Sequence, residues 1–243
     1  MVAMLLVIVA GCGSNPVKKN TEQAENKIKA PVMVDTVYYI PQRVRNPETG
    51  QLIPYQAMTN PYLVSVDRID MALVTAYVSA RRAFQSGAYR QAKQHLENLT
   101  SKDKRLSGPW VMLGDISRKN DKPKEAVSYY NKAIEINKNN VNVYIRLAKT
   151  YRELGQFVFA KNTYQQALAV WKDFPEAHLN LAILYDLYLN ESLLSQRHLE
   201  AYLFLKNGRD KIREGWLREI QQRTGKEIKL KAEIKKAISA TTM

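Results

Sequence analysis

The chain has 243 residues, of which 45% are hydrophobic, and its formal net charge is +14. This composition supports a sizeable core and excludes a chain that is disordered throughout. A single cysteine, Cys12, excludes an intramolecular disulfide framework and argues against a cysteine-based zinc site. The excess of Lys and Arg favours anionic partners such as phosphate backbones, anionic lipids or acidic proteins.

The chain begins with an apolar run, Met1 to Ala10, which is shorter than the roughly 20 residues of a membrane-spanning helix. The run fits the h-region of a signal peptide, which has roughly 7 to 15 residues. The following sequence, Val9-Ala10-Gly11-Cys12, resembles the bacterial lipobox, although no Lys or Arg precedes the run. The resemblance implies that residues 1–12 are a lipoprotein signal that ends at Cys12, the lipidated residue and mature N-terminus.

The residue after Cys12 bears on which membrane would hold the lipid. Gly13 stands where an Asp would favour retention at the inner membrane in diderm bacteria. The lipoprotein resemblance therefore implies anchoring at the periplasmic face of the outer membrane. We expect a protein that is held on this membrane without crossing it.

Residues 13–66 contain six of the nine prolines and show no sustained periodicity, which predicts an extended tether. The sequence NPETG, Asn46 to Gly50, is typical of a turn, because Pro fixes φ and Gly accepts a positive φ. Pro41 and Pro54 would each remove a hydrogen-bond donor from a hairpin around this turn. We therefore favour an extended segment, partly packed on the helical body, over a small hairpin.

Residues 67–208 repeat themselves at a spacing of 34 residues, without gaps. In the last three units, the first half carries a large ring, followed by Leu and then Gly or Ala. The second half carries another ring, with Ala three residues later. The recurring positions are Trp110, Leu113, Gly114, Tyr130 and Ala133, then Tyr144, Leu147, Ala148, Tyr164 and Ala167, then His178, Leu181, Ala182, His198 and Ala201.

This spacing and this set of residues resemble the tetratricopeptide repeat. The resemblance implies an all-α fold, a right-handed superhelical array of about four helix-turn-helix units over residues 73–106, 107–140, 141–174 and 175–208. Small residues such as Gly114 and Ala133 allow the two helices of a unit to approach closely. Each unit buries only part of its apolar face, so that neighbouring units must stack.

Residues 209–243 follow the repeats and predict two further helices. Asp210 to Arg223 carries apolar residues near helical spacing and predicts a capping helix over the last unit, ended by Gly225. Lys226 to Ile238 predicts a second, basic amphipathic helix. This helix has two interpretations, contact with anionic lipid and packing on a neighbouring helix, and packing is favoured.

Catalytic and cofactor motifs are not found in the sequence, and we expect neither an enzyme nor a bound cofactor. His178 and His198 fall at ring positions of one repeat, and the repeat register brings them near each other. They would supply half of a metal site, but no third ligand is visible. We therefore favour structural packing for both rings.

The tetratricopeptide resemblance also implies a concave groove lined by the first helices of successive units. We predict that this groove binds an extended or helical peptide with a carboxylate or acidic side chains. The family's carboxylate clamp is incomplete, because Val111, Ile145 and Leu179 stand where its Lys residues are needed. A solvated helix face remains the alternative for each of the candidate residues, which are Arg118, Asn142, Arg146, Lys149, Arg152 and Asn180.

These features together favour a lipid-anchored, non-enzymatic adaptor that binds a protein or peptide partner in the envelope. By analogy of architecture, the complex would belong to a pilus or secretin, to outer-membrane assembly or to a TonB-type system. The alternative is a cytoplasmic, basic helical-repeat protein that binds nucleic acid, for which the lipobox would be a coincidence. A secreted lipoprotein is not expected to meet nucleic acid.

Overall fold

The computed structural model describes residues 35–64 and 69–226, and these residues lie in one compact unit. These residues form a 3-10 helix, Thr36–Tyr39, ten α-helices and no strand longer than an isolated bridge. The α-helices are α1 (Pro61–Val64), α2 (Met71–Gln85), α3 (Tyr89–Lys102), α4 (Ser107–Lys119), α5 (Pro123–Ile136), α6 (Val141–Glu153), α7 (Phe157–Val170), α8 (Pro175–Leu187), α9 (Ser192–Leu205) and α10 (Lys211–Thr224).

Helix ends follow the local sequence. Pro123 and Pro175 begin α5 and α8, where a missing backbone N–H costs no helical hydrogen bond. The turns within the first and third repeats each contain a glycine with positive φ, Gly87 and Gly155. In the fourth repeat Asn190 takes this left-handed conformation, which Asn tolerates better than most residues.

The helices pair as the 34-residue spacing predicts, α2 with α3, α4 with α5, α6 with α7 and α8 with α9. Each second helix also packs on the first helix of the next repeat. The predicted all-α tetratricopeptide array is thus confirmed. Close packing depends on Gly114, because a Cβ there would lie 2.4 Å from the fully buried ring of Tyr130.

The first helices line the inner side of the array. Helix α2 contacts α4, and α6 contacts α8, whereas the 3-10 helix lies against both α7 and α9 on the other side. We call these two sides the concave groove and the convex side. None of the described helices has the length and apolarity needed to span a membrane.

The described part of the N-terminal segment begins on the convex side and continues to the loop between α7 and α8. The Thr36 hydroxyl lies 3.0 Å from the Tyr185 hydroxyl, and both oxygens are buried. Further along, the backbone N–H of Met58 donates to the Asp173 carboxylate at 2.7 Å, and the Tyr55 hydroxyl donates to the same group. These contacts hold the segment on the repeats.

Around the predicted turn, Arg45 and Leu52 form an antiparallel bridge. Hydrogen bonds flank this bridge, from Asn46 N–H to the Gln51 carbonyl and from Ile53 N–H to the Val44 carbonyl, both at 2.8 Å. A short hairpin therefore forms there, where we favoured an extended segment.

The C-terminal end of the array is covered by α10. Leu217 and Ile220 are buried against the fourth repeat, and Gly225 ends the helix with a φ of 64°. The predicted capping helix is confirmed. The predicted basic helix over Lys226 to Ile238 and the predicted lipidation site Cys12 lie outside the described residues, apart from Lys226 itself.

Candidate functional site: the concave groove

The structure places five of the six predicted groove residues on adjacent first helices. Arg118 lies on α4, and Asn142, Arg146, Lys149 and Arg152 lie on α6. Residues three or four apart share a helix face, so that the three cations of α6 form one stripe. Asn180, the sixth, lies on α8.

Arg146 is paired across the groove with an acidic residue of the preceding repeat. Its Nε lies 3.1 Å from both carboxylate oxygens of Asp115 on α4. The Tyr130 hydroxyl donates to the same carboxylate at 2.7 Å and fixes it from below. The Arg146 side chain remains 41% exposed, and its Nη1 also donates to the Asn142 carbonyl at 3.4 Å.

A second ion pair joins the same two helices, between Arg118 of α4 and Glu153 of α6. Both side chains are partly exposed, and pairs of this kind contribute roughly 0 to 1 kcal/mol to stability. These two ion pairs thus connect α4 with α6 and contribute little to stability.

Lys149 lies between these pairs and forms no ion pair or hydrogen bond with the described residues. Burial lowers the pKa of Lys149, and the neighbouring cations Arg152, Arg118 and Arg146 lower it further, partly offset by Glu153. Three other positive charges thus lie near the half-buried Lys149 amine. An anionic ligand there would relieve the repulsion.

The remaining predicted residues differ in what they offer a ligand. Arg152 lies over the Tyr188 ring, 5.6 Å from its centroid, and has no acidic partner within the described ranges. Asn142 is exposed. Asn180 is buried, and its amide donates to the Glu176 carbonyl at 2.6 Å, which ties it to its own helix.

The row of groove charges ends at the fourth repeat, because the carboxylate of Asp186 on α8 is already paired with side chains of α10. Asp186 of α8 accepts hydrogen bonds from Trp216 Nε1 at 3.0 Å and from Arg223 Nη2 at 2.8 Å. The sequence analysis did not predict the pairing of Asp115 with Arg146 or of Asp186 with Arg223. Glu153 was not predicted as a groove residue, because its partner Arg118 lies one repeat earlier and no local sequence pattern indicates the pair.

The predicted proximity of His178 and His198 is observed. Their Nδ1 atoms lie 3.0 Å apart, and His178 Nε2 lies 2.9 Å from the Lys172 carbonyl oxygen. His178 Nε2 must therefore carry the proton, and His198 Nδ1 donates to His178 Nδ1. Burial lowers the pKa of His178 to about 4 and lowers the pKa of His198 well below its ordinary value.

This histidine pair does not extend into a metal cluster in the part of the chain that the structure describes. No group of three or more His, Cys, Asp or Glu side chains is arranged there for a metal ion. The two buried rings instead fill the space between α8 and α9, and Tyr185 stacks on His198 at a centroid distance of 5.6 Å.

A cavity of about 580 Å³ adjoins the first-repeat end of the groove. Its walls are mainly apolar, with the Asp103–Arg105 ion pair at its rim. Tyr77, which lines the cavity, has its pKa raised by burial and by nearby groups that include Asp115. Its main apolar and aromatic lining residues are Tyr62, Ile69, Leu73, Val74, Tyr77 and Pro109.

Comparison with known proteins agrees with this architecture. Family models of the tetratricopeptide repeat match residues 108–140 and 129–158. A comparison with curated proteins found no match.

Similar solved structures include a tetratricopeptide repeat protein from Parabacteroides merdae, with 18% identity and a TM-score of 0.54 over 70% of this chain and 68% of that one. The MamA protein has 17% identity and a TM-score of 0.53, covering 69% of this chain and 88% of its own. A thermophilic tetratricopeptide protein of Thermus thermophilus has 20% identity and a TM-score of 0.50, covering 60% and 80%. Residues 71–205 therefore fold as an array of tetratricopeptide repeats.

Proposed function

We propose that this protein is a lipid-anchored scaffold at the periplasmic face of a bacterial outer membrane. Its concave groove binds an acidic segment of a partner protein during the assembly or operation of an envelope complex. The tetratricopeptide fold supports a protein–protein interaction scaffold in general. The lipobox-like sequence ending at Cys12 supports the anchor.

The observation that carries the groove assignment is its unbalanced charge. Arg118 and Arg146 each face one carboxylate across the groove, whereas Lys149 and Arg152 have no acidic partner among the described residues. Charge-assisted hydrogen bonds to carboxylates are among the strongest that side chains form. A partner that brings carboxylates to α6 would balance these cations.

The groove assignment is tested by crosslinked affinity purification from native envelopes. Wild type is compared with an Arg146→Ala, Lys149→Ala double variant that retains Cys12. A matched control removes two exposed lysines of α5, the second helix of the second repeat, by the substitutions Lys124→Ala and Lys132→Ala. We expect one envelope complex to be recovered with wild type and with the control, and to be lost with the groove variant. Equal recovery with all three proteins would refute the groove assignment.

The anchor is tested separately by metabolic labelling with a palmitate analogue. We expect label on wild type and none on a Cys12→Ser variant. A labelled Cys12→Ser variant, or an unlabelled wild type, would refute lipidation at Cys12. Since labelling does not depend on the groove, the two parts of the proposal succeed or fail independently.

A further inference from the structure

Five large apolar side chains are exposed together at one edge of the array, at the turns within the third and fourth repeats. Their exposed fractions lie between 42% and 67%. Ring contacts connect the two turns at this edge. The ring centroids of Phe157 and Tyr188 lie 4.9 Å apart, and those of Tyr151 and Phe159 lie 5.4 Å apart. We call it the turn-edge patch, and it consists of Val158, Phe159, Leu187, Tyr188 and Leu193.

The repeat fold does not require apolar residues at these positions. Val158 and Phe159 correspond, one repeat earlier, to Lys124 and Glu125. Likewise Leu187 corresponds, two repeats earlier, to Lys119. The same turn thus forms with charged side chains in the second repeat. A contiguous exposed apolar patch that packing does not explain is typical of an interaction surface.

The N-terminal segment joins the described body beside this patch. Thr36 binds Tyr185 in the last turn of α8, two residues before Leu187. The Tyr185 carbonyl accepts a hydrogen bond from Glu191 in the α8–α9 turn. Tyr38, two residues further along the segment, is also exposed. Among the described residues, the N-terminal segment therefore first contacts the repeats at this edge and not at the first repeat.

We propose that the turn-edge patch docks onto the lipid bilayer that holds the Cys12 lipid, an inference that rests on the proposed anchor. Leucine, valine and phenylalanine side chains would enter the boundary between headgroups and acyl chains. Tyr188, with the Arg152 guanidinium over its ring, would lie at headgroup level, where amphipathic rings are favoured. The patch would then be a second membrane signal that fixes the orientation of a lipid-anchored body.

The lone cysteine makes this contact measurable in the full-length, lipidated protein. If Cys12 is blocked by its thioether, a Leu187→Cys variant carries one free thiol for an environment-sensitive NBD fluorophore. The matched control is Met71→Cys on α2, because Met71 is 73% exposed at the other end of the array. Both proteins are reconstituted into vesicles of phosphatidylethanolamine and phosphatidylglycerol that contain a nitroxide-labelled lipid.

We expect a blue-shifted emission at position 187 and a several-fold loss of intensity with the nitroxide lipid, with neither effect at position 71. If Cys12 does not react with the fluorophore and the NBD emission at positions 187 and 71 is equally water-like, the proposed docking is wrong and the lipid anchor stands. If Cys12 itself takes the fluorophore, the anchor is absent and both proposals fail. A blue shift that requires native envelopes and is absent from vesicles would assign the patch to a protein partner and would also overturn the proposal.

Discussion

The two sides of the repeat array differ in what covers them. On the convex side, the N-terminal segment lies against α7 and α9 and is fixed by buried hydrogen bonds to Tyr185 and Asp173. On the concave side, α4 and α6 present partly exposed charges whose pairs connect one repeat with the next. The N-terminal segment therefore covers part of the convex side, whereas the charged side chains of α4 and α6 in the concave groove remain partly exposed.

This difference indicates where substitutions should affect stability and where they should affect binding. Buried polar contacts are costly to break, because the remaining partner loses its hydrogen bond without regaining water. Half-exposed ion pairs contribute little to stability and remain free to exchange partners. We therefore expect convex and inter-helix changes to destabilise the fold, and concave changes to abolish partner capture in a folded protein.

The largest destabilisation is expected from Gly114→Ala, which affects the contact between α4 and α5, the two helices of the second repeat. The new Cβ would lie 2.4 Å from the fully buried ring of Tyr130, so that the ring or the helix would have to shift. Overpacking of this kind costs about 1 to 3 kcal/mol or more. Urea unfolding measures the loss. The control is Gly108→Ala in the same helix, whose nearest neighbour lies at 3.6 Å and which should lose no stability.

Asp173→Asn should release the convex segment at a cost of roughly 1.5 to 3 kcal/mol, as expected for hydrogen bonds to a buried charged group. Asp173 is 2% exposed and accepts bonds from Tyr55 and the Met58 backbone. Limited proteolysis should then cleave residues 35–60 faster than in wild type. Glu135→Gln, an exposed change on α5, should leave both measurements unchanged. An unchanged cleavage rate in the Asp173 variant would show that the hydrogen bonds to Asp173 do not hold the segment on the repeats.

Acid should weaken the fourth repeat, because burial depresses the pKa of both His178 and His198 in the folded state. The unfolded chain then binds more protons, so that stability falls as the pH drops from about 6.5 toward about 4. Each histidine contributes a slope of at most about 1.4 kcal/mol per pH unit. A double variant, His178→Tyr and His198→Tyr, introduces the tyrosines that the third repeat carries at the equivalent positions, Tyr144 and Tyr164. This variant should reduce the pH slope. An unchanged pH slope would contradict buried, neutral imidazoles.

The smallest effect on stability is expected from the groove variant Arg146→Ala, Lys149→Ala. Loss of the half-exposed Arg146 pair costs roughly 0 to 1 kcal/mol, and removal of Lys149 relieves repulsion among the remaining cations. Its urea midpoint should therefore lie close to that of wild type. A loss as large as that of Gly114→Ala would mean that the groove charges hold the fold together.

The helical repeats were predictable because their packing is periodic. The 34-residue spacing placed Gly114 against a ring position and brought His178 and His198 to facing positions, and both contacts occur. Periodicity of this kind reflects contacts between near neighbours in sequence, which each repeat reproduces. The capping helix was predictable for the same reason, from apolar residues at helical spacing over the last repeat.

The long-range contacts were not predictable from the sequence. The pairing of Arg118 with Glu153 depends on the distance between successive first helices. The contact between Met58 and Asp173 joins segments that are far apart in the chain, and neither carries a recurring pattern. The groove residues were selected from their place in the repeat, and their binding role stays a prediction.

The central claim is that the partner lies in the concave groove. Site-specific photo-crosslinking in native envelopes tests it, with benzoylphenylalanine placed either at Lys149 on α6 or at Lys132 on α5. We predict an adduct with one envelope protein at position 149, which disappears when Arg146→Ala is added, and no adduct at position 132. Adducts at position 132 with none at position 149 would contradict the claim and would place the binding surface on the convex side.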